Sequence, residues 1–263
     1  MYHYFKLLTK RRRSQFFNEF SVSYDIAPIK QQKIDAFRQF YDLADDQQLP
    51  ASYAFIAGFE AMLNTLSHQH FAFAPLGLIH LSAEFKQFAP IDYQRPFSVD
   101  IKVKQNRRHP LGKLVQLESK FFQDHHLCLI NTNCMLKKLT SASTDSRVKG
   151  QQTFSGTTDT CVNADTARAY AKVSYDYNPI HISKHLAKLF GLPGAIMHGM
   201  YFAHWLLIRE NIHQQRVKFE FKKPCLLPTE VGIAQRDNHY HIFSGSDDLH
   251  LVMKTFDSAA QEA

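Results

Sequence analysis

No apolar run in the sequence approaches the ~18–20 residues that a membrane-spanning helix needs, so no membrane span is expected. Cysteine is scarce: Cys128, Cys134, Cys161 and Cys225 are the full set, and none stands in a CxxC spacing. Four thiols in 263 residues do not make a disulfide scaffold. They read as reduced cysteines of an intracellular protein, and the cytoplasm is the expected location. Address signals are lacking too. Met1 to Phe17 is aromatic and basic without the apolar core of a secretory signal, leaving an organelle transit peptide as the lesser reading. The last residues, Ala260-Gln-Glu-Ala263, match no retention or peroxisomal address.

Negative charge is in deficit. There are 24 acidic residues against 31 Lys and Arg, a formal net charge of +7 and a pI near 9.1. Such a balance favours anionic partners without naming one. Lys10-Arg11-Arg12-Arg13 and Arg107-Arg108-His109 are the local clusters, but no recognition helix or aromatic–basic module accompanies them, so nucleic acid is not an expected partner. The first cluster reads as solvated surface. The second lies in a predicted turn and is placed to meet the phosphates of an anionic ligand.

The remaining composition, 44% hydrophobic and 21% charged, is that of a globular chain long enough for one large domain or two joined units. Predicted elements run in an order that partly repeats. Short strand character at Phe20–Ile29 precedes helical spacing at Ile34–Ala44. An apolar helix is predicted over Ala51–Leu66, with Phe55, Phe59, Met62, Leu63 and Leu66 on one stripe. Strands follow at Leu78–Phe88, Phe97–Val103, Leu114–Phe122 and Leu127–Leu139, with a turn at Arg107–Gly112. Residues 140–156 are polar and aperiodic and read as a linker. Beyond them come a helix at Met197–Glu210 and strands at Arg216–Lys222, Val231–Arg236 and His239–Thr255. Ala83-Glu-Phe-Lys86 and Phe219-Glu-Phe-Lys222 occupy corresponding places in the two halves, which points to an internal duplication. The expected boundaries are residues 1–139 and 157–263, with the linker between.

The residues that carry chemistry gather in one stretch, Tyr170-Ala-Lys-Val-Ser-Tyr-Asp-Tyr-Asn-Pro-Ile-His181, followed by Ile196-Met-His-Gly-Met200. Asn178 precedes a proline and is pushed toward extended geometry, so the segment reads as a turn that folds Asp176 and His181 toward one point. A short helix is predicted from Ser183 to Phe190, stopped by Gly191 and Pro193. Gly199, at the head of an apolar helix, has two readings: close packing against a neighbour, or a free N–H at the positive end of a helix dipole. A loop aspartate is most often a turn former and a lone histidine most often a satisfied core group, but the pair in this setting favours proton transfer. Asn178 reads as a turn stabiliser first and a water-orienting group second. His198 reads as a group that fixes the turn, His204 as a core histidine. Ser174 has no base arranged to make it a nucleophile. His181 and His185 stand four apart without a third ligand or an HExxH context, so neither a metal nor another cofactor is expected.

Tyr-x-x-Val-Ser-x-Asp-x-Asn-Pro-Ile-His-x-x-x-x-x-Ala, from Tyr170 to Ala187, resembles the hydratase motif of the MaoC-like family, the (R)-specific enoyl-CoA hydratases of hot-dog fold. Ile196-Met-His-Gly-Met200 is similar to the start of that family's central helix. The resemblance implies an α+β fold with two hot-dog units in one chain, each a long helix wrapped by an antiparallel sheet, packed sheet edge to sheet edge. It implies a degenerate first half, around Phe73-Ala-Pro-Leu-Gly-Leu-Ile-His80, that completes the acyl pocket, and a catalytic second half. It also implies roles: Asp176 and His181 on one bound water, and the Gly199 amide on the thioester carbonyl. The expected substrate is an acyl-CoA or acyl-carrier-protein thioester, and a homodimer of double hot-dogs is compatible with the family. One position departs. Where the family usually has glycine before the aspartate, this chain has Tyr175, a bulky side chain that can narrow the pocket or move Asp176. An inactive acyl-binding hot-dog and a hot-dog thioesterase are the rival readings.

Overall fold

The computed structural model describes residues 17–138, 158–245 and 248–256. The expected linker at 140–156 lies outside the described residues, apart from which the chain divides into two compact units. One contains residues 1–31 and 54–147, the other residues 32–53 and 148–263. The segment 32–53 therefore belongs by contact to the second unit, although in sequence it interrupts the first.

In the first unit β1 (Phe20–Ile26) leads to a central helical stretch in two pieces, α2 (Tyr53–Ala57) and α3 (Phe59–Ser67). The second unit takes the intervening α1 (Gln31–Tyr41). Four long strands follow: β2 (Leu78–Gln87), β3 (Phe97–His109), β4 (Gly112–Gln123) and β5 (His126–Lys138). The strands stand in the order β1-β3-β4-β5-β2, every pairing antiparallel. Alternation along β4 turns Val115, Leu117, Ser119 and Phe121 inward. These residues and the buried face of α3 (Phe59, Met62, Leu63 and Leu66) supply the core of this unit. Phe17, at the first described position, packs its ring against Phe71 and Phe73.

The helix predicted as one stripe over 51–66 breaks at Gly58 (φ −93°, ψ 3°). Its hydrogen bonding nevertheless continues, from Gly58 N–H to Ala54 O at 2.9 Å and from Met62 N–H to Gly58 O at 3.0 Å. The predicted turn at Arg107–Gly112 shrinks to residues 110 and 111, because β3 stays paired with β4 as far as His109 opposite Gly112.

The second unit repeats the plan. It has β6 (Thr158–Val162), α4 (Ala164–Ser174), α5 (Pro179–Ile182), α6 (Lys184–Leu189) and the central α7 (Gly199–Arg209), then β7 (Arg216–Phe221), β8 (Thr229–Arg236), β9 (His239–Ser244) and β10 (Asp248–Phe256). Its strand order is β6-β8-β9-β10-β7, again antiparallel. Substituting β6 to β10 for β1 to β5 reproduces the order of the first unit, which is the duplication the repeated elements predict. The paired fragments fall on corresponding strands, β2 and β7, with Phe85 and Phe219 both fully buried. The long strand expected at His239–Thr255 is a hairpin of β9 and β10. The sequence reading missed β6 and α4.

Helix α7 is buried nearly all round, through Met200, Tyr201, Phe202, Ala203, His204, Leu206 and Leu207. Segment 32–53 packs on it within the same unit. Tyr41 donates to Tyr201 O at 3.1 Å, Phe37 meets His204 edge to face, and Ser52 Oγ is hydrogen-bonded to His204 Nδ1 at 2.6 Å. His204 is thus the hydrogen-bonded core histidine the sequence suggests. Among the described residues, no helix is long and apolar enough to cross a membrane.

Two outcomes are expected. A Cβ at Gly58 falls 2.9 Å from Phe121 Cζ, inside a packed core, so Gly58→Ala should cost about 1–3 kcal/mol in denaturant unfolding. Adding Phe121→Leu should recover part of that loss. Burial pushes His204 down to about 3. Above pH ~6.5 it is neutral in both folded and unfolded chains. Between there and its folded value only the unfolded chain gains the proton, so stability falls as pH falls, by roughly 1.4 kcal/mol per pH unit. The stability gap between wild type and His204→Leu should therefore shift in the variant's favour from pH 7 to pH 5. A gap that stays constant would show that His204 takes up its proton in the fold as readily as in the unfolded chain.

Candidate active site

Helix α4 begins at a capping box, with the Asn163 side chain accepting from the amides of Asp165 and Thr166, and the Thr166 hydroxyl accepting from the Asn163 amide. It ends at Tyr175, whose backbone is left-handed (φ 62°, ψ 11°). This is a conformation that glycine adopts freely and a tyrosine rarely does. The physical role of the usual glycine is therefore to reverse the chain after α4. Tyr175 keeps the reversal and turns its side chain outward, 39% exposed, with Lys33 Nζ 4.4 Å from its ring centroid.

Local hydrogen bonds then fix the acid. The Asp176 amide donates to Ser174 Oγ at 3.2 Å, and Asp176 Oδ1 accepts from the Asn178 amide at 3.1 Å. Asn178 is extended (φ −57°, ψ 126°) and caps α5, its side chain accepting from the Ile180 amide, with Pro179 at the first helical position. Asn178 is thus a turn stabiliser, and Ser174, fully buried, holds the Asp176 backbone.

His181 closes this single turn of helix. Its Nδ1 donates to Ile196 O at 2.8 Å, and the Ile196 amide donates to Ile180 O at 3.1 Å. A carbonyl only accepts, so the neutral ring carries its hydrogen on Nδ1 and presents a lone pair on Nε2. Burial lowers the His181 pKa from its ordinary value, while Asp176 and the Ile196 carbonyl oppose the shift.

Immediately after Ile196 the chain supplies His198. Its Nε2 donates to Asp176 O at 3.0 Å, and its ring lies on that of His181 with centroids 3.7 Å apart and planes 26° from parallel. Tyr170 meets the His198 ring edge-on at 4.8 Å. Burial and the adjacent His181 push His198 down to about 3, against the pull of Asp176. It is a neutral ring that ties the aspartate turn to the head of α7.

Gly199 opens α7 with no side-chain cap ahead of it. Among the described residues no acceptor is recorded for its amide. A Cβ here would fall 2.7 Å from Phe221 Cδ1. Both readings of the glycine hold together: the ring of Phe221 demands the bare Cα, and the amide stands at the positive end of the helix.

One potential ligand atom from each of Asp176, His181 and His198 lies within 4.8 Å of the others, a cluster that the sequence spacing alone did not place. The geometry is poor for a metal. One nitrogen of each ring is spent on a carbonyl, and the lone pairs left, on His181 Nε2 and His198 Nδ1, belong to rings lying face to face. An imidazole lone pair lies in its ring plane, so two stacked rings cannot both aim at one ion. His185 is exposed and His204 is hydrogen-bonded to Ser52, so neither joins the cluster. The side chains of Arg107 and Arg108 lie outside the described ones. A carboxylate, an imidazole Nε2 and a helix-start amide together suit proton transfer to and from water beside a developing oxyanion.

Known proteins resemble this chain in sequence and in fold. Residues 145–231 match the family model described as MaoC like domain. The chain is 29% identical over 222 residues to 3-hydroxyacyl-thioester dehydratase X of Mycobacterium tuberculosis, covering 81% of this chain and 79% of that protein. The crystal structure of that relative, HtdX, superposes with a TM-score of 0.74 at 25% identity, covering 89% of this chain and 98% of the other. A second Mycobacterium tuberculosis protein, described as having a double hotdog fold, matches with a TM-score of 0.57 at 10% identity over 95% of this chain and 96% of the other, a likeness of fold alone. Motif, repeated five-stranded units and these likenesses converge: residues 145–231 match a MaoC like domain, and the chain as a whole is similar in fold to double hot-dog proteins.

Proposed function

We propose that the chain is an (R)-specific 2-enoyl-CoA hydratase acting reversibly as a 3-hydroxyacyl-CoA dehydratase, with its chemistry in the second unit. At the coarser level the chain is a hydro-lyase of the hydroxyacyl-thioester dehydratase kind, in fatty acyl metabolism. The observation that carries the finer reading is the approach of Asp176, His181 and the head of α7 within one turn-and-helix arrangement.

In the hydration direction, a water bound between the Asp176 carboxylate and His181 Nε2 loses one proton as its oxygen bonds to Cβ of the enoyl thioester. The C=C electron pair moves toward the thioester carbonyl, where negative charge gathers on oxygen opposite the Gly199 amide. A proton then passes to Cα, closing the balance of one water added across one double bond. Burial favours this use of His181, because a ring whose pKa is lowered is neutral at neutral pH and holds the lone pair the step needs. His198 acts as a positioning residue, through its contacts with His181 and the Asp176 backbone. The first unit has no Asp-x-x-x-x-His in the corresponding place.

With trans-2-enoyl-CoA, loss of the conjugated enoyl-thioester absorbance measures hydration, whereas release of free thiol would mean hydrolysis and neither signal would mean binding alone. Asp176→Asn and His181→Ala should each lower kcat by roughly 10²–10⁴-fold with circular dichroism unchanged. Full activity in both variants would refute the assignment. The acid limb of kcat/KM should fall below pH ~6.5, because the lowered pKa keeps His181 in its basic form until the medium is more acidic than an ordinary histidine requires.

A further inference from the structure

Around the candidate site the surface is unusual in two ways. Eight large hydrophobic residues are exposed among the described residues, and six of them fall between Tyr175 and Leu226. Leu189 alone is 80% exposed. Charge is just as uneven: between Asp165 and Glu210 the only acidic residue is Asp176, against Arg168, Lys172, Lys184, Lys188 and Arg209.

Both features meet on α6. This helix is capped by Ser183 and rests through Ala187, which is fully buried. Leu186, Leu189 and Phe190 recur at i, i+3 and i+4, a single outward stripe. Lys184 and Lys188 are exposed beside it, with no carboxylate partner among the described residues. The helix starts three residues after His181, packed on the α5 turn that holds that ring.

We infer that α6 and the turn after it form a docking platform for an acidic carrier protein that presents the acyl thioester. The inference rests on the hydratase reading above and adds a carrier-protein thioester beside CoA as a substrate of the same site. Three physical considerations choose the occupant. The phosphates of CoA suit the lysines, but its single purine ring covers one side chain and leaves the rest of the Leu186, Leu189 and Phe190 stripe exposed. In a two-fold contact between copies of this chain, the same patch faces itself, which sets Lys184 and Lys188 near their own kind with no acid to relieve them. A bilayer satisfies both charge and apolarity, yet it brings no thioester to Asp176 and His181. An acidic carrier with an apolar spot supplies charge and cover together, and a patch this small fits a transient complex.

The test compares one acyl group, trans-2-hexenoyl, on holo acyl carrier protein and on CoA. Lys184→Glu/Lys188→Glu and Leu189→Ser leave the proposed proton-transfer groups untouched. Each should lower kcat/KM for the carrier-bound substrate about tenfold or more through KM, with kcat unchanged and the CoA substrate within about twofold. For wild type alone, the carrier reaction should weaken with rising salt. Equal losses on both substrates would assign the lysines to CoA phosphates and overturn the proposal, as would no loss on either. A variant effect confined to binding of phosphatidylglycerol vesicles would overturn it in favour of a membrane, and one confined to the sedimentation mass in favour of a second copy. Should wild type consume neither thioester, the hydratase reading fails by itself. Calorimetric titration of the holo carrier protein into wild type and variants then still decides the docking, with equal affinities refuting it.

Discussion

The site depends on a two-way clasp between residues 180–181 and residue 196. The Ile196 carbonyl takes the Nδ1 hydrogen of His181, and the Ile196 amide gives its own to Ile180 O. The same strand-like run is held from its other side, Met197 N–H to Cys225 O at 2.8 Å and Leu227 N–H to Ala195 O at 2.9 Å. Two segments separated by the whole of α6 are therefore locked in register before α7 starts. One consequence is chemical: the tautomer of His181 is set, so Nε2 is the atom left to act. Another is geometric, since His198 and Gly199 are the next residues and inherit their places from the clasp. A buried imidazole bonded to a backbone carbonyl tolerates little rotation, which is the preorganisation that proton transfer requires.

The two units share a plan and differ at the candidate site. Each central helix carries a glycine pressed by a phenylalanine ring, Gly58 under Phe121 and Gly199 under Phe221. In the first unit a preceding turn of helix places Ala54 O on the Gly58 amide. In the second unit the chain arrives extended at His198 (φ −66°, ψ 130°), and the helix begins with no acceptor recorded behind Gly199. Extending a helix by one turn at its start is enough to consume an anion-binding amide. The first unit thus lacks both the acid–histidine pair and the uncapped amide, and its retained glycine answers to packing alone.

What the sequence made legible follows from the range of the interactions involved. Apart from β6 and the turn between β9 and β10, the strands of both units, the two central helices and the Asp176–His181 turn arise from local periodicity or from a dense motif, and were readable. Helix α4 was missed although Asn163 and Thr166 carry its start signal, because its stripe of Ala167, Tyr170 and Ala171 is small and mixed with charge. The break at Gly58 was invisible since the apolar stripe runs through it unchanged. His198 reaching Asp176 across 22 residues, and Ser52 reaching His204 across 152, are products of tertiary folding with no trace in spacing. The transfer of segment 32–53 to the second unit belongs to the same class.

That segment bears on the one departure from the family pattern. A non-glycine residue in the left-handed region costs on the order of 1 kcal/mol, and Tyr175 stands there beside the proposed acid. Lys33, from α1, sits over its ring, an interaction of about 0.5–1 kcal/mol at an exposed site. The two magnitudes are comparable, so the strap offsets much of the strain it accompanies. The rest of α1 is held independently, through Phe37 against Tyr53 and His204, and Phe40 against Tyr170 and Tyr201. Lys33 is thereby presented by a fixed helix. Asp176 meanwhile keeps its backbone amide on Ser174 Oγ and its carboxylate Oδ1 on the Asn178 amide. Tyr175 thus keeps the left-handed reversal after α4 and places an aromatic ring on the solvent side of the turn.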